Sequence, residues 1–339
     1  MSNIINVALS IWDPKGTYSR HAGAVIASVM KNTKSGVAFH LLHDETLSDA
    51  NKQKLKETAS KFHGEINFID VTSEMKKHSN VDIARITGAF TPGSVFRLLL
   101  PQITEMSKVI YLDCDVIVNL DIKEFWDIDL SGYYIAAIDD KAGQTIINKP
   151  LLSNSRFRMW MMDMPLEHYF NSGVVMLNLD EIRKDFNLFE EGLKFFERYE
   201  RCTEFPDQDL LNKLFSKKTL IVNPKFHVFA REAIAGRDFD NAIWHFTGVK
   251  PWDIHTGNPL EVLYWQYLKE SAWGDNLIEY MLEARSSNYV HIHTSDCSKK
   301  IRERLKLNLT KSLPANIISV LYGELLFKIK MIMSRENKR

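Results

Sequence analysis

Cysteine is scarce in this chain: the 339 residues contain three, at positions 114, 202 and 297. Three widely separated cysteines form neither a disulfide framework nor a CxxC zinc site, and the expected setting is reducing and cytoplasmic. Long apolar runs are missing too; nothing approaches the roughly 18 to 20 uncharged residues that a spanning helix needs. The opening MSNIINVALSIWD lacks a cationic start and a small-residue cleavage site, so it reads as a strand and not as a signal peptide. With 15 glycines, collagen is excluded. Net charge is also absent, with 43 basic against 43 acidic side chains, which argues against a nucleic-acid binder. No internal repeat or low-complexity segment is found.

What is present is an ordinary globular composition, 45% hydrophobic and 25% charged, long enough for one large α/β domain or two smaller ones. The charge is unevenly spread. Residues 299–339 hold eleven Lys or Arg and three Glu, a local +8 that leaves the rest at −8.

The first hundred residues change hydrophobic period repeatedly, as β-α-β units with a mainly parallel sheet do. Ile4 to Ile11 reads as a strand, Asp13-Pro14-Lys15-Gly16 as a turn, and Ala22, Val25, Ile26 and Val29 as one buried helix face. Val37 to Leu42 and Ile66 to Asp70 read as strands around a helix carrying Leu55, Ala59 and Phe62, with Ser48 as its N-cap. Ser94 to Leu100 reads as a helix stopped near Pro101, since proline lacks the backbone donor. Val109 to Leu112 has no polar residue and predicts a strand buried on both faces, ending at Asp113. Further on, Gly173 to Leu179 predicts a strand and Leu260 to Leu282 a helical, aromatic-rich stretch.

Ligands of open α/β sheets bind at the carboxyl ends of the strands, which draws attention to Asp113-Cys114-Asp115. Two carboxylates two positions apart can face one way and offer hard oxygen ligands to a divalent cation. The tripeptide alone decides nothing, because D-x-D recurs at 127/129, 207/209 and 238/240. Its position after a buried strand singles out the first copy. His245-Phe246-Thr247-Gly248-Val249-Lys250-Pro251-Trp252 offers an imidazole suited to Mn²⁺, an open glycine backbone and a lysine suited to phosphate; by itself it reads more readily as packing. Pro206-Asp207-Gln208-Asp209 and Phe170-Asn171-Ser172-Gly173 carry groups that can hold sugar hydroxyls, or else form a helix N-cap at Asp207 or Asp209 and a turn at Ser172-Gly173. Arg97 is either a charge reaching out of an amphipathic helix or an anion contact.

Taken in order, VALSIWD, VFRLLLP, VIYLDCDVIV, AAIDD, YFNSGVVMLNL, FPDQDLLN and HFTGVKPW resemble glycosyltransferase family 8, which includes bacterial lipopolysaccharide galactosyl- and glucosyltransferases and glycogenin. The resemblance runs over about residues 4 to 255. It implies an α/β GT-A fold of Rossmann-like type, a UDP-sugar donor (UDP-glucose or UDP-galactose), Mn²⁺ with Mg²⁺ as a substitute, and retention at the anomeric carbon by a hexosyltransferase. By the same resemblance Asp113, Asp115 and His245 match the metal ligands, with Asp113 also among the donor contacts, and Gly248 and Lys250 match the diphosphate contacts. Arg97, Asn171, Asp207 and Gln208 match positions around the donor sugar, Gln208 nearest the anomeric carbon, and Asp139 falls at a donor or acceptor contact. Ser10, Asp13 and Tyr18 lie in the uracil and ribose segment, which here is longer than the usual A-T-D-D-N-Y, with Ser10 and Trp12 in place of its neighbouring residues. Gln208 is a weak nucleophile, so front-face attack is the expected route, the departing phosphate oxygen deprotonating the acceptor.

Two other readings compete. LDCDV approaches the D-x-D-x-(T/V) loop of haloacid-dehalogenase-like phosphatases, with Asp139-Asp140 as a later acidic pair, but about a hundred residues precede it and Ile117 departs from the pattern. The other is a protein that holds UDP-sugar without turnover.

The expected organisation is a catalytic domain over residues 1–258 and a helical region over 259–339, with the Met-, Arg- and Trp-rich stretch 141–168 facing a glycan, glycolipid or glycoprotein acceptor, as in cell-surface polysaccharide synthesis. Lys299 to Lys311 and Lys328 to Arg339 flank Ile317, Ile318, Leu321, Leu325 and Ile332. That amphipathic pattern with a basic rim suits peripheral contact with the anionic inner face of a membrane.

Overall fold

The computed structural model describes residues 4–78, 91–139, 159–164, 169–199, 203–233, 239–248, 250–253 and 257–293. Most of the expected acceptor stretch 141–168 and all of the basic tail 299–339 lie outside the described residues.

The N-terminal half alternates strands and helices as expected. Strand β1 (Ile5–Ile11) is followed by α1 (Ser19–Asn32), β2 (Val37–His43), α2 (Asp49–Ser60), β3 (Glu65–Asp70) and α3 (Thr72–Lys77). The 13–16 turn is closed by the Gly16 N–H donating to the Asp13 carbonyl at 3.0 Å. Ser48 caps α2 by accepting from the Asn51 N–H at 3.3 Å, satisfying one donor that a helix start leaves unpaired.

Pro101 does not act as a stop. Helix α4 (Gly93–Phe96) tightens into a 3₁₀ turn at Arg97–Leu99, and Pro101 then lies in the first turn of α5 (Leu100–Ile103). A first-turn N–H has no intrahelical acceptor, so its absence from proline costs nothing there.

Next come β4 (Lys108–Leu112), β5 (Val116–Asn119), α6 (Lys123–Trp126), β6 (Ile135–Ala137), β7 (Val174–Asn178), α7 (Leu179–Asp185), α8 (Leu188–Tyr199), α9 (Pro206–Phe215), β8 (Thr219–Ile221), β9 (Val228–Phe229) and β10 (Ala242–His245). Seven strands form the main sheet in the order β3-β2-β1-β4-β7-β6-β8, in which β7 alone runs against its neighbours. Three strands form a second sheet, β5-β10-β9.

Strand β4 is buried on both faces, as its composition predicts. Ile110 and Leu112 enter one hydrophobic cluster with Val7 and Leu9, while Val109 and Tyr111 enter a second with Leu98 and Leu177. Each such aliphatic side chain contributes roughly 1.5–3 kcal/mol relative to exposure.

Helix α1 is more deeply buried than a single apolar face implies. Its far side is covered by α10 (Glu261–Glu270), whose Tyr264, Tyr267 and Leu268 share its core. Leu260 to Leu282 is therefore not one helix. Ser271 turns extended, a 3₁₀ turn follows at Gly274–Asn276, and α11 (Leu277–His293) starts anew. The break lets Trp273 fold onto Gly23 of α1, where a Cβ would stand 2.8 Å from the indole.

Candidate functional site

The tripeptide Asp113-Cys114-Asp115 is the corner at which the chain leaves the main sheet at the end of β4 and enters the second at β5. Strand register then dictates what meets it. Because β10 pairs antiparallel to β5 with His245 opposite Val116, the imidazole arrives beside Asp115, and the Phe246 N–H donates to the Asp115 carbonyl at 2.9 Å. Because β7 pairs with β4 with Val174 opposite Leu112, Gly173 lies beside Asp113, whose N–H donates to the Gly173 carbonyl at 2.8 Å. One ligand atom from each of Asp113, Asp115 and His245 can be chosen so that all lie within 4.8 Å of one another.

Several observations fit this set to a divalent cation. Two carboxylate oxygens and an imidazole nitrogen are the donor types that Mn²⁺ accepts. The Asp115 Oδ1 is buried and forms no hydrogen bond of good geometry, lying 3.1 Å from His245 Nε2. Gly173 leaves the room: a Cβ there would stand 2.4 Å from His245 Cε1 and 2.7 Å from Asp113 Oδ2.

Lys250 ion-pairs with the other Asp115 oxygen and donates to the Phe246 carbonyl. Burial alone would raise the Asp115 pKa, but the charges of His245 and Lys250 outweigh it and hold the group well below the usual carboxylate range. Cys114 between the two acids is buried, with Sγ 3.4 Å from the Ser10 carbonyl; burial and then Asp113 and Asp115 push its thiol up, so it stays protonated.

Arg97 reaches neither solvent nor a surface anion. Its side chain is 4% exposed and stacks over the Tyr111 ring at 4.0 Å. It bonds Asp113 Oδ1 at 2.6 Å and the Ser172 carbonyl at 2.7 Å, and pairs with Asp207 Oδ2 at 3.3 Å. Burial pulls its pKa down, yet Asp113, Tyr111 and Asp207 more than reverse that. The guanidinium thus ties the strand-end acids to α9.

Helix α9 begins at Pro206, one residue before the earlier of the two caps expected, so Asp207 and Asp209 both lie in its first turn. Asp209 reaches back to accept from the Glu204 and Phe205 N–H groups and from Thr203 Oγ1. Gln208 is buried with its amide orientation set: Oε1 accepts from the Ser172 N–H at 3.1 Å and Nε2 donates to Tyr169 Oη at 2.9 Å. Tyr169 in turn donates to Asp209 at 2.7 Å. Burial raises the Asp207 pKa, with Arg97 opposing it. Asn171 accepts from the Gly173 N–H at 2.9 Å and closes the Ser172-Gly173 turn.

The N-terminal residues of the expected nucleotide segment divide. Asp13 is buried and its carboxylate accepts from the Tyr18 N–H and the Ser19 N–H and hydroxyl at the start of α1, and from Asn51 Nδ2 of α2. The Tyr18 ring meets His21 edge-on at 5.5 Å, and its phenol is raised well above its ordinary pKa by burial, then by Cys114, Asp115 and Asp113. Ser10 is buried near the end of β1. Asp139 lies just beyond β6 and bridges to Phe170. Gly248 sits in a bend with φ +83°, and Trp252 stacks on His21 at 3.7 Å, the packing role open to a Pro-Trp pair.

Sequence reasoning missed His227 altogether. It is buried just ahead of β9, and its Nε2 lies 2.8 Å from His245 Nδ1. No local motif marks it; only the β9–β10 pairing brings it there. Tyr169 was also missed, being remote from Gln208 in sequence.

The sequence model of Glycosyl transferase family 8 matches residues 13–256. General stress protein A of Bacillus subtilis (strain 168) is 28% identical over 76% of this chain and 91% of its own length. The lipopolysaccharide 1,2-glucosyltransferase of Escherichia coli (strain K12) is 24% identical over 81% of this chain and 80% of its own. Among solved structures, the galactosyltransferase LgtC in complex with donor and acceptor sugar analogues superposes with a TM-score of 0.64 at 23% identity, covering 79% of this chain and 96% of that one. The fold is GT-A. The phosphatase reading falls, because the glycosyl transferase family model covers residues 13–256 and the fold is that of its solved members.

Proposed function

This chain belongs to glycosyl transferase family 8, and we propose that within that family it moves glucose or galactose from a UDP-sugar to a hydroxyl of a glycan, glycolipid or glycoprotein, with Mn²⁺ or Mg²⁺ and with retention of configuration. The observation that carries this reading is the convergence of Asp113, Asp115 and His245 beside the buried Arg97 and Gln208. The lipopolysaccharide glucosyltransferase among its relatives supports a hexose donor and a cell-surface glycan acceptor.

In this proposal Asp113, Asp115 and His245 hold the cation. When bound, it supplies Lewis-acid stabilisation of the negative charge that develops on the leaving diphosphate. Lys250 adds a second positive charge on the same side, leaving its Asp115 partner to meet phosphate oxygens, and Gly248 offers its open backbone. Arg97 and Asp207 orient the donor sugar's surroundings, Asn171 shapes the turn above them, and Tyr18 and Ser10 line the nucleotide end. Asp13 supports that end through α1, and Asp139 serves the donor or acceptor side.

Gln208 Oε1 already accepts a hydrogen bond from Ser172, which lowers its nucleophilicity. That favours front-face attack: the departing phosphate oxygen takes the acceptor hydroxyl's proton while the Gln208 amide dipole stabilises the cationic anomeric carbon. A trapped glycosyl-Gln208 adduct would overturn this route.

The test is UDP release from a panel of UDP-sugars with Mn²⁺, with and without chelator. Hydrolysis of one hexose donor, abolished by chelation, is the expected result; no turnover and no binding of any UDP-sugar sinks the proposal.

Among the described residues no helix is long and apolar enough to cross a membrane. We propose that the +8 segment 299–339 rests on anionic lipid at the cytoplasmic face, each well-placed cation contributing about 1 kcal/mol. Deleting 299–339 should abolish sedimentation with anionic liposomes, and unchanged sedimentation refutes the idea.

A further inference from the structure

Resting on the reading of Asp113, Asp115 and His245 as a cation site, we propose that His227 is a positioning residue: by accepting a hydrogen bond from His245 Nδ1 it fixes that ring with the Nε2 lone pair aimed at the cation.

Sheet register supplies the geometry. Strand β10 lies between β5 and β9, so the His245 ring is approached from both sides. From β5 comes Asp115, with Oδ1 3.1 Å from Nε2. From β9, which runs parallel to β10 with Phe229 opposite His245, comes His227, with Nε2 2.8 Å from Nδ1. The rings are 5.0 Å apart at 31°, and both residues are buried, at 2% and 4% exposure.

Proton placement follows from the chemistry of imidazole. A neutral ring carries one N–H, so a ring that gives its Nε2 lone pair to a cation must hold its proton on Nδ1. At 2.8 Å from His227 Nε2 that proton is donated to His227, which must then be bare at Nε2 and protonated at Nδ1. That Nδ1 is buried on the side of the Val174 backbone. The pair is thus a two-ring relay in which cation binding at His245 selects the tautomer of both. The hydrogen bond also stops rotation of the His245 ring, the role that outer partners of ligating histidines commonly play.

A packing role alone would be served equally by phenylalanine, since His227 lies 5.2 Å from the Phe229 ring. The experiment therefore compares His227→Phe, which keeps a ring and deletes the acceptor, with His227→Gln, whose amide oxygen can reach the same place. Full-length protein is titrated with Mn²⁺ alone, free Mn²⁺ being followed by its paramagnetic resonance signal. The Phe variant should bind about 10- to 100-fold more weakly, and Gln should restore most of the affinity. Equal affinity of the parent and the Phe variant overturns the proposal. If the parent itself takes up no Mn²⁺, the cation-site reading fails and the proposal with it, a different result from equal binding. Should the Phe variant not fold, ¹⁵N spectra of the Mg²⁺-loaded parent decide: His227 protonated at Nδ1 and bare at Nε2 supports the relay, and a proton on His227 Nε2 refutes it.

Discussion

Asp115→Asn should reduce Mn²⁺-dependent UDP release by at least ~100-fold while leaving the fold intact. The substitution is nearly isosteric. It removes the one charge that faces both His245 Nε2, at 3.1 Å, and the Lys250 ammonium. At 12% exposure little water screens that charge, so its attraction for a cation is far stronger than at a surface. The neutral amide can still offer an oxygen, which is why structure survives and function does not. Steady-state UDP release and Mn²⁺ titration, run on parent and variant together, separate the two. Activity within about tenfold of the parent would remove Asp115 from the cation set.

The second large effect is on stability. Arg97→Met should lower the melting temperature by on the order of 10 °C, the equivalent of breaking a buried ion pair at about 3–5 kcal/mol. Methionine fills much of the volume over Tyr111 but leaves Asp207 without its cation, along with Asp113 and the Ser172 carbonyl. The effect depends on pH with a definite sign. The Asp207 pKa is already raised by burial and held back by Arg97, so removing the arginine raises the folded-state value further above the unfolded one. In acid, where the carboxyl is protonated in both states, the deficit is smallest; it grows as pH rises through the carboxylate range toward neutrality. Calorimetric melts at pH 4 and pH 8 check this. A deficit that shrank toward pH 8 would show that Arg97 does not offset those charges.

Much of the fold was legible because its elements are locally determined. Strands β1, β2 and β4, the Ser48 cap and the 13–16 turn follow from patterns of a few residues each. Where the reading departed from the structure, the deciding partner was distant. Nothing between residues 19 and 32 announces that α10 will cover the outer side of α1, and Leu260 to Leu282 reads as continuous until Trp273 is seen to need Gly23. The site divides in the same way. Asp113 and Asp115 announce themselves by standing at the end of an uninterrupted apolar strand, and His245 by its place in an ordered set of motifs. Arg97 was visible as a candidate, but its burial between two acids depends on α9 and β4 meeting. Asp13, expected at the nucleotide, turns inward toward donors from the start of α1 and from Asn51 of α2.

Gly173 ties three separate stretches of the chain to a single hydrogen atom. Any side chain at this position competes for the volume that the His245 ring and an Asp113 oxygen occupy. A methyl at 173 requires the imidazole ring or the Asp113 carboxylate to move from its place. In the proposed reading, a side chain at 173 therefore disturbs cation binding without replacing any of the three ligands.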